Sequence, residues 1–202
     1  MRQLIYIMEA ERFWYKKGGA TGYRLNQNWD RYDPEAVKRT VGRFEVLPDH
    51  MGAMAPCFGV TKVAYGRNFG SNHFRKGYLI FGPVSKVKYP PYYMHGINRL
   101  GVGNYLATFT FYIDVRGVAP NQLMAILECS DDKGRQVLAR KEITPNYIQR
   151  LKLSNPHSAV QLLKIDLPVR IPNIVHHLET RIFWTGAGLI KFGNISFFRI
   201  IR

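Results

Sequence analysis

In GNYLATFTFYIDV, residues 103–115, side-chain polarity alternates along the chain. Tyr105, Ala107, Phe109, Phe111, Ile113 and Val115 share one parity, and Asn104, Thr108, Thr110 and Asp114 share the other. Leu106 and Tyr112 are the exceptions on the polar side. Alternation at period two predicts a strand over 105–115 with one buried and one wetter face. QLLKIDLPV repeats the pattern, with Leu163, Ile165, Leu167 and Val169 set against Lys164, Asp166 and Pro168.

Further runs at short spacing predict strands over 122–130, 136–143, 160–169, 178–184 and 189–201. DDKGR (131–135) carries the Asp/Gly chemistry of a hairpin turn, and TGAG (185–188) supplies the turn before the last strand. The first hundred residues are looser. Residues 3–10, 58–65 and 77–81 read as strands, and DPEAVKRTVG (33–42) reads as one short helix. There Asp33 caps, Pro34 suits the first helical position and Gly42 closes. Long loops rich in Gly, Asn and Pro fill the rest, such as KKGGATGYRLNQN and SKVKYPPYYMHGINRLGVG. There is no internal repeat, low-complexity segment or dividing linker, so residues 1–202 are expected to form a single domain. Strands without amphipathic helices between them point to a sandwich or barrel rather than a βαβ sheet.

Composition agrees. A chain of 202 residues with 46% apolar and 13% aromatic content can build a real core, and the aromatic share suits an all-β interior. No apolar run approaches the roughly 20 residues of a membrane span. The opening MRQLIYIMEAERF is interrupted by Glu9 and Glu11, and no small-residue cleavage site follows, so it does not read as a signal peptide. The compartment stays undecided between the cell interior and a fragment of a longer exported chain. Cys57 and Cys129 match no metal spacing and read as buried thiols, with a single bridge as the alternative.

Charge changes the picture most. Lys and Arg number 29 against 14 Asp and Glu, a net charge of +15. Between Asp49 and Asp114 there is no acid, while Lys62, Arg67, Arg75, Lys76, Lys86, Lys88 and Arg99 all fall there, with His50, His73 and His95. These cations pair with distant acids, stay solvated or meet an anionic partner. A field of this sign steers anions and weakens with salt.

Catalytic signatures are missing: there is no HExxH, G-x-S-x-G or P-loop. GVG at 101–103 lacks a third glycine. His176 and His177 have no spaced ligand partner, and Asp131 with Asp132 suits a solvated turn. The N-I-S triplet at Asn194 lies inside a predicted strand, so we treat it as chance. His95 with Tyr93 can be written as a lyase acid and base, but nothing in their spacing demands it. The expectation is a non-enzyme.

Four segments carry a family resemblance. IMEAERF resembles the "EAE" first strand of carbohydrate-binding modules of the galactose-binding-like jelly-roll type. GYLIFGP (77–83) is similar to the strand that ends in Gly-Pro there, and GNYLATFTFYIDV to the strand that follows. RIFWTGAGLIKFGNISFF resembles the closing hairpin, with a Trp before a Gly turn. The order and spacing of these segments extend over most of the chain. The resemblance implies an all-β, jelly-roll β-sandwich with long loops, to which the predicted short helix is added.

It also implies two sites. The first is a structural calcium held by Glu9, Glu11 and an acid near the final strand, where this chain has Asn194. Calcium prefers six to eight oxygens, and an Asn oxygen or backbone carbonyls can replace the missing carboxylate. The alternative is that Glu9 and Glu11 pair with Lys or Arg. The second is a glycan surface at the apical loops or on a sheet face, where flat rings stack on sugar C–H faces. The candidates are Tyr92 and Tyr93 in PPYYMHG, Trp184 before the last turn and Trp29 in an Asn-rich loop. Arg75, Lys76, Lys86 and Lys88 would meet carboxylates or sulfates. Trp14 and Phe109 are assigned to the core.

The leading expectation is therefore a non-catalytic carbohydrate-binding module, with acidic polysaccharide as one ligand class. A structural or self-assembling jelly-roll subunit is the alternative. Nucleic-acid binding through the basic interval ranks third, because no recognition signature accompanies it.

Overall fold

The computed structural model describes residues 1–9, 41–46, 60–66, 69, 76–82, 100–151, 160–175 and 178–201. The described strands are β1 (Arg2–Glu9), β2 (Arg43–Val46), β3 (Val60–Tyr65), β4 (Gly77–Gly82) and β5 (Gly103–Asp114), then β6 (Ala125–Asp131), β7 (Gln136–Ile143), β8 (Val160–Ile171), β9 (Glu179–Trp184) and β10 (Leu189–Ile200). A larger, six-stranded sheet runs β2-β3-β10-β5-β8, with β1 also on β10, and a four-stranded sheet runs β4-β9-β6-β7. All pairings are antiparallel.

The pairing nests. β6 pairs β7, β5 pairs β8, β4 pairs β9 and β3 pairs β10, with successive pairs alternating between the sheets. This is the topology of one long hairpin rolled into two layers, the jelly-roll sandwich. The expected fold class is the one observed.

β10 is the pivot. Its first half pairs with β3 and its second half with β1, while β5 runs along its other edge from Leu189 to Arg199. The register shifts between Phe192 and Asn194. A side chain on Gly193 would press on the Thr110 carbonyl, so glycine lets the two strands approach there.

The alternation predicted for β5 and β8 sets which side chains face the core, although Leu106, Thr108 and Asp114 on the other side of β5 are buried too. Tyr105, Ala107, Phe109, Phe111 and Ile113 join Leu163, Ile165, Leu167, Val169 and Ile171 in the core. The smaller sheet contributes Ala125, Leu127, Cys129, Ile182 and Trp184. Burial of each large side chain is worth about 1.5–3 kcal/mol. Phe197 is stacked between Tyr6 and Tyr105, with ring centroids 5.3 and 5.4 Å apart.

The differences from sequence are local. β2 was not foreseen, nor was α1 (Pro145–Gln149), whose Thr144 Oγ1 accepts the Tyr147 amide at 3.1 Å. β6 begins at Ala125 because residues 119–122 form a turn closed by Gln122 N–H on the Ala119 carbonyl. Residues 33–40 of the expected helix lie outside the described residues.

Candidate functional site

The outward side chains of β5, β8 and β10 share one face of the larger sheet, which is exposed at Tyr112, Leu162 and Lys164 and covered at Leu106 and Thr108. Register sets them in rows. Lys191, Tyr112 and Leu162 lie opposite one another, and the next row holds Asn194, Thr110 and Lys164. Beyond it come Ser196, Thr108 and Asp166, then Phe198, Leu106 and Pro168. Neighbours within a row sit about 5 Å apart, and rows about 7 Å apart.

Tyr112 is 42% exposed and Leu162 52%, although the facing strands are otherwise polar here. A phenol ring standing on a pleated face, flanked by an ammonium and an aliphatic side chain, offers a flat apolar surface with polar edges. One acid on this face, Asp166, is already engaged. Asp166 accepts the Thr108 hydroxyl at 2.6 Å and meets Arg2 at 3.7 Å. Among the described residues Lys164 and Lys191 form no ion pair, which leaves two ammonium groups near Tyr112 without a carboxylate partner.

On the smaller sheet's outer face Arg140 and Glu142 of β7 stay exposed, while Glu179 and Arg181 of β9 are buried. Arg181 Nε and Nη2 donate to Glu179 Oε2 at 3.0 and 2.6 Å, and Nη1 reaches Tyr78 Oη at 3.2 Å and Glu128 Oε1 at 3.4 Å. The guanidinium lies 5.1 Å from the centroid of the Tyr78 ring. Gly134, at φ +88°, sits so close to that guanidinium that a Cβ there would overlap it. Burial pulls the Arg181 pKa down, but the hydrogen bond and charge of Glu179 more than offset this and hold it above its ordinary value. Glu128 and Glu179 are thus tied to a permanent cation, which is not the arrangement of a general acid–base pair.

The sequence candidates scatter. Trp184 must be corrected: it is 2% exposed, in phase with inward-facing Ile182, and its Nε1–H donates to the Ala187 carbonyl at 3.1 Å. It packs the core and offers no platform. Lys76 is exposed just before β4, whose Gly77 is the register partner of Trp184. Trp29, Arg75, Lys86, Lys88, Tyr92, Tyr93 and Glu11 lie outside the described residues, as do Trp14 and Cys57.

Register does bring Glu9 opposite Asn194 across β1 and β10, uniting two of the three expected calcium ligands at one backbone pair. Among the described residues no three His, Cys, Asp or Glu side chains cluster as a metal site. Cys129 is buried and free, and burial, then the Glu128 charge, pushes its thiol pKa up. Asp132 pairs with Arg135 at 3.5 Å in an exposed turn, as its composition implied. GVG runs into β5 rather than a helix.

Tyr112 was missed as a candidate. The signal was present, since an aromatic out of phase in an alternating strand must stand on the wet face.

No protein-family model and no curated protein matches the chain. Among solved structures, it is similar to a carbohydrate-binding module of Cellvibrio mixtus lichenase 5A in complex with cellotriose. Identity is 11%, coverage is 99% of this chain and 100% of that one, and the TM-score is 0.43. It is also similar to the C-terminal CBM6 of LamC from Zobellia galactanivorans. There identity is 10%, coverage 95% and 97%, and the TM-score 0.41. A third similarity is to CBM22-1–GH10 modules of a Clostridium thermocellum xylanase complexed with xylohexaose. Identity is 15%, coverage 81% and 28%, and the TM-score 0.31. The jelly-roll assignment rests on this chain's own strand pairing.

Proposed function

We propose that the chain is a non-catalytic carbohydrate-binding module whose open sheet face takes an acidic polysaccharide. The observation that carries this is the exposed Tyr112 ring between Lys191 and Leu162, one row from Asn194, Thr110 and Lys164. The ring would stack on the C–H face of a sugar. Thr110 and Asn194 would hydrogen-bond its hydroxyls, and Lys164 and Lys191 would meet carboxylate or sulfate groups. The net charge of +15 would raise the local concentration of such a polymer. The sequence resemblance to jelly-roll modules supports carbohydrate as the ligand, and the acidic character rests on the lysines.

A structural calcium near Glu9 and Asn194 belongs to the same reading, with Glu11 as the third donor. Its role would be to hold β1 on β10.

Affinity electrophoresis through gels containing acidic or neutral polysaccharides tests the proposal. Retardation by an acidic polysaccharide that weakens as salt rises is expected. Equal mobility in every gel would refute it.

A further inference from the structure

One end of the larger sheet has a character that glycan binding does not use. Four neighbouring strands, in the order β1-β10-β5-β8, meet that end, and the connections beside β5 and β8 carry exposed aliphatic residues there. Met1 and Ile201 exchange backbone hydrogen bonds of 2.9 Å in both directions. Gly103 pairs with Ile171, and just beyond them Leu100 and Val175 pair at 2.9 and 3.0 Å. Val102 and Ile174 therefore sit in facing connections, 58% and 43% exposed. Both are internal to the chain, so their exposure does not depend on its ends.

Behind these tips stand exposed arginines. Arg2 pairs with Ile200, Arg170 with Asn104 and Arg199 with Tyr105. Segments 1–8, 100–113, 167–178 and 195–202 contain no Asp or Glu. Among the described residues, the nearest acid on this sheet face is Asp166, which is already engaged by Thr108 and Arg2.

We infer that this end docks on an anionic lipid bilayer. Val102 and Ile174, in facing connections of adjacent strands, sit about 5 Å apart at the usual strand spacing and form one apolar tip. The aliphatic side chains would enter the headgroup–acyl boundary, and the guanidiniums a few residues behind them would lie level with lipid phosphates. On the smaller sheet this end also carries Glu179 and the β6–β7 turn with Asp131 and Asp132, of which Asp132 pairs with Arg135 at 3.5 Å, so the cationic character belongs to the larger sheet's strand ends.

Flotation with vesicles of phosphatidylcholine alone, or mixed with phosphatidylglycerol, tests this. The parent chain is expected to float with the mixed vesicles, less so as salt rises, and hardly at all with phosphatidylcholine alone. Val102→Ser/Ile174→Ser leaves the charge unchanged and is expected to weaken anionic-vesicle binding about tenfold or more, with an unaltered melting curve. Arg170→Ala/Arg199→Ala is expected to weaken it as well. Three results would overturn the inference: no binding to mixed vesicles, equal binding by the Ser variant, or a concentration-dependent dimer abolished by that variant. Polysaccharide retardation of the Ser variant should equal the parent's, so failure here is distinguishable from failure of the glycan proposal.

Discussion

The hydroxyl of Tyr6 donates to Thr180 Oγ1 at 2.8 Å, joining β1 of the larger sheet to β9 of the smaller one inside the core. Both residues are fully buried. Tyr6→Phe keeps the ring stacked on Phe197 and deletes only the bond. It is expected to cost about 1 kcal/mol, read as a lower urea midpoint with unchanged slope.

Alkaline pH probes the same interior. Burial, then the neighbouring Cys129, raises the Tyr6 pKa well above its ordinary value, and burial also raises that of Cys129. Both groups stay protonated in the folded state when the unfolded chain has begun to lose those protons. Their contribution is complete below the ordinary thiol and phenol ranges and is lost as pH rises beyond them. The melting temperature should therefore fall above about pH 9. Tyr6→Phe/Cys129→Ala should flatten that limb, and an equally steep fall would contradict the assignment.

Arg181 holds the smaller sheet's outer face together. Arg181→Ala leaves Glu179 and Glu128 buried without their cation, a change expected to cost about 3–5 kcal/mol. Gly134→Ala places a Cβ on the guanidinium at a positive φ and should also destabilise. Chemical denaturation of the two variants checks both.

Much of this fold was legible because one face of each central strand is buried. Period-two alternation in 103–115 and 161–171 survives directly as the inward and outward faces of β5 and β8. β2 was not legible: four residues, RFEV, are too few to set a period, and it exists through its pairing with β3. α1 was overlooked although Thr144-Pro145 is a start signal, because its five residues are too short to show a helical repeat. Trp184 was misassigned since a tryptophan before a turn can face either way, and only the phase of β9 decides. For Tyr112 the phase did decide, because the strand around it is long enough to define which side is wet.

Calcium removal offers an independent check on β1. If Glu9, Glu11 and Asn194 hold the ion, chelation should lower the melting temperature by several degrees, and Asn194→Asp should strengthen the response. A melting curve indifferent to chelator and to added calcium would exclude the site.

Charge and stacking make separable contributions on the open face. Lys164→Ala/Lys191→Ala should reduce affinity for an acidic polysaccharide and flatten its salt dependence, while leaving any neutral-glycan binding nearly unchanged. Equal losses on both ligand types would mean that the lysines do not read charge.

Titration calorimetry of Tyr112→Ala against the parent, with the acidic polysaccharide that retards the parent most, addresses the central claim directly. Loss of the stacking ring should weaken binding about tenfold or more, with melting temperature unchanged because the ring is exposed. Parent-like affinity in a folded Tyr112→Ala protein would contradict it.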